Sequence, residues 1–308
     1  MKIKHLLYMP LLGLGLYNGH RGGYWLRSRI KILKQFVVLA LQNQTNKDFV
    51  LWISVRYIDK ADKQIKELKD YFNSIKEFQT VFTYSGVCFW DDKYPDIVAR
   101  DRLLTALHGS ISGLLDVIGE ADYVLMQIQP SDDIYIKHCI QGIQNIFKEV
   151  PKLQAVGFSS GYIMDYFTKE LAEYNPTTNP PFVAIKFSRD VFIDPLKHID
   201  WTAIKRDVGK YKAGTPCPSH EYYPDVFNKN YKTITERGFL VGTHSANIST
   251  CFNHPFKGRR IEGEEKRKVL EDFNLYSTDC LKLEFSPKNW ILKKMPNIRT
   301  KIYNWLRN

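Results

Sequence analysis

In the first 135 residues, apolar runs of strand length alternate with longer segments whose apolar residues recur at helical spacing. Strand-like runs occur at 3–9, 49–57 (FVLWISVRY), 80–84 (TVFTY) and 123–128 (YVLMQI). Between them, 24–44 carries Leu26, Ile30, Leu33, Val37 and Leu41 on one helical stripe, and helices are expected at 61–75 and 96–115. Strands alternating with amphipathic helices fold as βαβ crossovers, so the chain is expected to be α/β with a mostly parallel central sheet flanked by helices.

The second half is less regular. A helix is expected over 134–150, stopped by Pro151, with strands in 153–164 and 182–187 around the turn-rich loop AEYNPTTNPP. From 201 to 254 polar and aromatic residues crowd into weakly periodic segments, which suits either binding loops or irregular packing. A chain of 308 residues that is 44% hydrophobic buries a full core. With no repeat and no convincing linker, the expected organisation is one domain over 1–285, divided into halves 1–135 and 136–285, and a tail over 286–308. The opening MKIKHLLYMP is read as a first core strand rather than a signal peptide, because Pro10 interrupts the apolar run and no small-residue cleavage site follows.

A net charge of +11 calls for an anionic partner. Acids balance the lysines and arginines through most of the chain, and no nucleic-acid-binding pattern occurs, so no nucleic-acid partner is expected. The tail is the exception: Lys288, Lys293, Lys294, Arg299, Lys301 and Arg307 interleave with Trp290, Ile298 and Trp305 and no acid. Two readings stay open for it, a basic amphipathic segment for an anionic membrane surface and a docked last helix with a solvated basic face. The five cysteines have no C-x-x-C spacing, which suits a reducing cytoplasm, with peripheral attachment to the inner membrane face through the tail.

The stretch YVLMQIQPSDDIY runs from a buried strand straight into Asp132 and Asp133. Adjacent carboxylates need a compensating partner, and two readings remain. One is the cap and first turn of the following helix. The other is an oxygen site for Mg²⁺ or Mn²⁺ at a parallel-strand end, where α/β sheets bind ligands. Arg27 and Arg29 follow a Gly-Gly turn that suits a close approach to a nucleotide, although GHRGG lacks the ending of a Walker P-loop.

The order strand, helix, QNQTNKDFVLWIS, charged helix, strand, ARDRLLTA, strand, SDD resembles the nucleotide-sugar-binding half of GT-A-fold glycosyltransferases, and most of all a rhamnosyltransferase-like group near the family-2 enzymes. PSHEYYPD and GTHSANISTCFNHPFKGRRI extend the likeness through most of the chain, as separated short motifs.

The resemblance implies a GT-A-like fold. It implies an enzyme that moves a hexose or deoxyhexose from a nucleotide-diphosphate sugar to a glycan or lipid-linked acceptor, assisted by Mn²⁺ or Mg²⁺. It places Asp132 on the last acid of a D-x-D element, with Asp133 beside it and Pro130 where the first acid would stand; Gln127 and Gln129 are neutral oxygens that could help. It makes His244 the third metal ligand or a diphosphate contact, and Asn247 a residue that orients it or binds sugar hydroxyls. Arg100 and Arg102 become donor-binding residues, with pairing to Asp101 as the bland alternative. Glu221 becomes the base that takes the acceptor proton if the reaction inverts, and His220 the second choice. A sugar-phosphate nucleotidyltransferase and a non-catalytic nucleic-acid-binding protein are the rival readings.

Overall fold

A computed structural model gives the structure of the protein and describes residues 1–11, 23–86, 109–194, 223–244 and 251–283. At its centre is a seven-stranded sheet ordered β3-β2-β1-β4-β9-β6-β10. Its strands are β1 (Ile3–Pro10), β2 (Val50–Arg56), β3 (Gln79–Gly86), β4 (Tyr123–Ile128), β6 (Ala155–Phe158), β9 (Val183–Ser188) and β10 (Tyr231–Ile234). All neighbours are parallel except at β9, which runs against both β4 and β6. The run MKIKHLLYMP therefore ends in a strand bonded on both edges.

Alternate residues of β1 enter different cores: Leu7 and Met9 pack on one face of the sheet, Leu6 and Tyr8 on the other. Both faces are covered, which is why these strands read as unbroken apolar runs rather than as alternation. The second core holds Trp52, packed on Tyr8 at a ring separation of 4.4 Å, with its indole N–H donating to Thr83 Oγ1 at 2.8 Å. A buried indole keeps its favourable apolar area only because that N–H is satisfied.

The helix expected over 24–44 is present but not uniform. Gly23–Ile32 is α-helical, Leu33–Val38 is a π-helical turn, and Leu39–Gln42 closes the rod. Within the π turn Leu33, Phe36, Val37 and Val38 are all buried, so the wider turn presents more of its circumference to the core than an α turn does. A second amphipathic helix, Lys63–Ser74, is capped by Asp62, whose carboxylate accepts from the Gln64 N–H at 2.7 Å.

Beyond β4 the chain leaves the first sheet for a second one, ordered β12-β8-β7-β11-β5. It comprises β5 (Ile134–Tyr135), β7 (Gly161–Asp165), β8 (Leu171–Tyr174), β11 (Phe239–Thr243) and β12 (Lys257–Ile261). The helix expected from 134 starts at Cys139 and ends at Glu149. Ile134 and Tyr135 instead pair antiparallel with Leu240 and Phe239. The expected strand over 153–164 is two strands, β6 in the first sheet and β7 in the second. The segment 129–133 is thus the seam between the sheets. The tail 286–308 lies outside the described residues, and among those described no helix is long and apolar enough to cross a membrane.

Candidate functional site at the seam of the two sheets

The chain moves from β1 outward through β2 to β3, and β4 then returns to the other side of β1. The strand order therefore reverses between β1 and β4, and the crevice beyond the carboxyl ends of such a pair is where open α/β sheets bind ligands. Asp132 lies just past the end of β4 at this switch point.

Asp132 is not a helix cap. The helix Cys139–Glu149 has His138 at its N-cap with no side-chain capping bond, six residues further on. Among the described residues, Asp132 Oδ2 instead meets the Arg29 guanidinium from the first helix and His244 Nε2 from just beyond β11 at 3.1 Å. The Arg29 and His244 side chains are 4% and 0% exposed and that of Asp132 is 14% exposed, so the pair is almost fully withdrawn from water. Asp133 turns the other way, and its Oδ1 accepts from the Gly242 N–H at 3.0 Å.

The loop itself is pinned from two sides. Tyr166 donates its hydroxyl to the Asp132 carbonyl at 2.8 Å, and its ring lies flat on Phe36 of the π turn with centroids 3.8 Å apart. Gln129 Nε2 donates to the carbonyls of Pro130 and Asp133, both at 2.9 Å. Its Oε1 is buried without a partner among the described residues. Gln127 faces inward, its Oε1 3.0 Å from His5 Nε2 and its amide reaching Cys139 Sγ at 3.5 Å, so it is not an oxygen of the site.

Electrostatics separate the two carboxyls. Burial alone would raise Asp132, but the Arg29 guanidinium and the His244 hydrogen bond outweigh it and hold its carboxyl well below the usual range. Burial, and then the charge on Asp132, push Asp133 well above that range, against the Gly242 N–H and Arg29. Of the two, Asp132 is therefore the carboxyl that favours its charged form, and among the described residues it faces the permanent positive charge of Arg29.

This arrangement does not fit the expected Mn²⁺ or Mg²⁺ on Asp132, Asp133 and His244. The oxygen a metal would take already holds a guanidinium and an imidazole nitrogen. A divalent ion ~4 Å from a guanidinium meets a repulsion of about 8 kcal/mol at an effective dielectric of about 20. Among the described residues no three His, Cys, Asp or Glu side chains gather as a metal-holding group.

Of the expected site residues, Asp132, Asp133 and His244 come together. Arg27 does not join them: it is exposed and lines an outer groove of about 500 Å³ with Lys31, Lys34, Gln64 and Glu67. Two positions along a helix is a turn of about 200°, so Arg29 faces inward where Arg27 faces out. Arg100, Arg102, His220, Glu221 and Asn247 lie outside the described residues. Tyr166 and Gly242 join the site without having been singled out for it, and of the two arginines named beyond the Gly-Gly turn it is Arg29 that reaches it. For Arg29 a signal existed, because it sits on the buried stripe Leu26, Arg29, Leu33, Phe36, and a cation there needs a buried partner.

Solved structures offer only loose likenesses. No family model matches the chain, and neither does any curated protein. TarS from S. aureus (residues 1–349) aligns over 88% of this chain and 70% of its own, at 12% identity and a TM-score of 0.36. A mannosyltransferase from Pyrobaculum calidifontis in complex with GDP-Man and Mn²⁺ aligns over 78% and 56%, at 9% identity and 0.37. Mouse xyloside xylosyltransferase 1 aligns over 51% and 52%, at 10% identity and 0.30. At such scores these likenesses carry no argument about activity, and the fold stands on its own strand order.

Proposed function

We propose that this chain is a nucleotide-sugar-dependent glycosyltransferase of GT-A-like layout, moving a hexosyl or deoxyhexosyl unit onto a hydroxyl of a glycan or lipid-linked acceptor. One observation carries the reading. A buried Arg29–Asp132–His244 cluster, built from three distant parts of the chain, sits at the switch point between β1 and β4. Burying charge and hydrogen-bonding groups at a sheet rim is expensive, and such sites concentrate where function requires them.

In this reading the donor diphosphate lies beyond β1 and β4, near Arg29 and His244, with Arg100, Arg102 and Asn247 expected on the donor. The acceptor oxygen attacks the anomeric carbon as the bond to the diphosphate breaks. Glu221, or His220 in its place, takes the acceptor proton, and the nucleoside diphosphate leaves. The tail 286–308 is assigned to an anionic surface on the cytoplasmic face, where a lipid-linked acceptor would lie.

The test is thermal unfolding with UDP-, GDP- and dTDP-sugars, followed by nucleoside-diphosphate release with the ligand that binds. A ligand at one hundred times its Kd adds about 2.7 kcal/mol of apparent stability. One nucleotide sugar is expected to raise the Tm of the wild type and to lose that effect with Asp132→Asn. A wild type indifferent to all of them defeats the proposal.

A further inference from the structure

We infer that Arg29 is the cation of this site, and that nucleoside diphosphates bind at the end of β4 without a divalent metal. The inference rests on the function proposed above for what binds, but not for what Asp132 holds.

Three observations carry it. First, the Arg29 guanidinium and His244 Nε2 converge on one oxygen, Asp132 Oδ2, so the carboxylate best placed for a metal is already occupied from two directions. Second, Arg29 is a core residue: it is 3% exposed, on a helix that runs into a π turn anchored by Phe36 and Tyr166. It cannot swing out to admit an ion without leaving a buried charge unpaired. Third, two other oxygens nearby are engaged, and the Gln129 Oε1 that is buried without a partner among the described residues is neutral. Asp133 Oδ1 is bound to the Gly242 N–H, and Gln127 Oε1 faces His5.

A guanidinium suits the task because it stays charged at any physiological pH and presents five N–H donors in a flat fork. Such a fork can serve a carboxylate and a phosphate oxygen together. Lysine would offer a point charge of shorter reach, so Arg29→Lys is not a neutral change.

The experiment has two arms. In the first, Mn²⁺ alone is titrated into the full chain and followed by electron paramagnetic resonance. The wild type is expected to show no stoichiometric binding up to millimolar Mn²⁺. Arg29→Ala is expected to bind roughly tenfold more tightly or better, because a nearby positive charge is gone, and Asp132→Asn added to it should abolish the gain. Stoichiometric Mn²⁺ binding by the wild type that Asp132→Asn removes would overturn the inference, whether or not Arg29→Ala folds.

In the second arm, the stabilisation of the wild type by UDP, GDP and dTDP is measured with Mn²⁺ and with EDTA. Equal shifts in both support the inference. A shift that appears only with Mn²⁺ overturns it while leaving the glycosyltransferase reading intact. No shift with any nucleotide under either condition removes that reading, and the first arm still decides what Asp132 holds.

Discussion

Gly242 lies against the Tyr166 ring so closely that a Cβ at 242 would fall 2.2 Å from the ring's Cζ. The same glycine donates its N–H to Asp133, and the same tyrosine donates its hydroxyl to the Asp132 carbonyl. One missing methyl therefore lets β11 and the tyrosine close on the carboxylate loop together. Gly242→Ala is expected to cost about 1–3 kcal/mol through overpacking and to weaken ligand binding. Tyr166→Phe keeps the ring on Phe36 and is expected to cost only about 0.5–1.5 kcal/mol. Urea unfolding of both variants checks the order, and a glycine variant as stable as the wild type contradicts the contact.

Breaking the buried ion pair from one side should be far costlier than its exposure on a surface would suggest. Asp132→Ala leaves the Arg29 guanidinium buried beside His244 without its carboxylate, and a loss of about 3–5 kcal/mol is expected. Chemical denaturation measures it. The double variant Arg29→Met/Asp132→Leu should recover much of the loss, because no buried charge is left unpaired.

His5 ties stability to acid. It lies wholly inside the sheet against Gln127, and burial lowers its pKa from 6.5 to about 4, with the Gln127 hydrogen bond opposing. The folded chain therefore binds the proton less well than the unfolded chain. Stability is full above pH 6.5 and falls as the pH drops towards 4, by about 3 kcal/mol in all. Unfolding free energies across that window should show the slope, and His5→Gln should flatten it.

Asp133 acts with the opposite sign. Its folded-state pKa is raised above the ordinary 3.8 by burial and by Asp132, so folding favours the protonated acid, and stability is lost as the pH rises from 3.8 upwards. Asp133→Asn keeps a carbonyl oxygen for the Gly242 N–H and removes the titration. The variant should match the wild type in acid and exceed it in stability at neutral pH, read by unfolding at both. A variant less stable at neutral pH would show that the charged carboxylate is the form that the fold holds.

The first four strands of the central sheet were legible because β1, β2, β3 and β4 are short apolar-rich runs separated by helical periodicity, whereas β10 lay hidden in the weakly periodic stretch 201–254. The second sheet was not legible either. β5 has two residues, and Ile136, Ile140, Ile143 and Phe147 share a helical spacing that draws the expected helix start back over it. Its pairing with β11, about a hundred positions away, leaves no local mark. The π turn was equally silent, since the stripe Leu26, Ile30, Leu33, Val37, Leu41 reads the same whether or not one turn is widened. At the site, local sequence left Asp132 open between a cap and an ion site, and His244 was reached only through the likeness of its motif. Tyr166 and Gly242 act through shape and a single hydrogen bond each, which residue type does not announce.

The separation of the site's parts governs when it can come into being. Positions 29, 132, 166, 242 and 244 meet only after β4 has found β1 and β11 has closed on β5 and β7. Contacts so far apart in sequence are slow to assemble. Recovery of ligand affinity during refolding should therefore lag behind the return of helical ellipticity, which makes the site a reporter of the last step of folding rather than of the first.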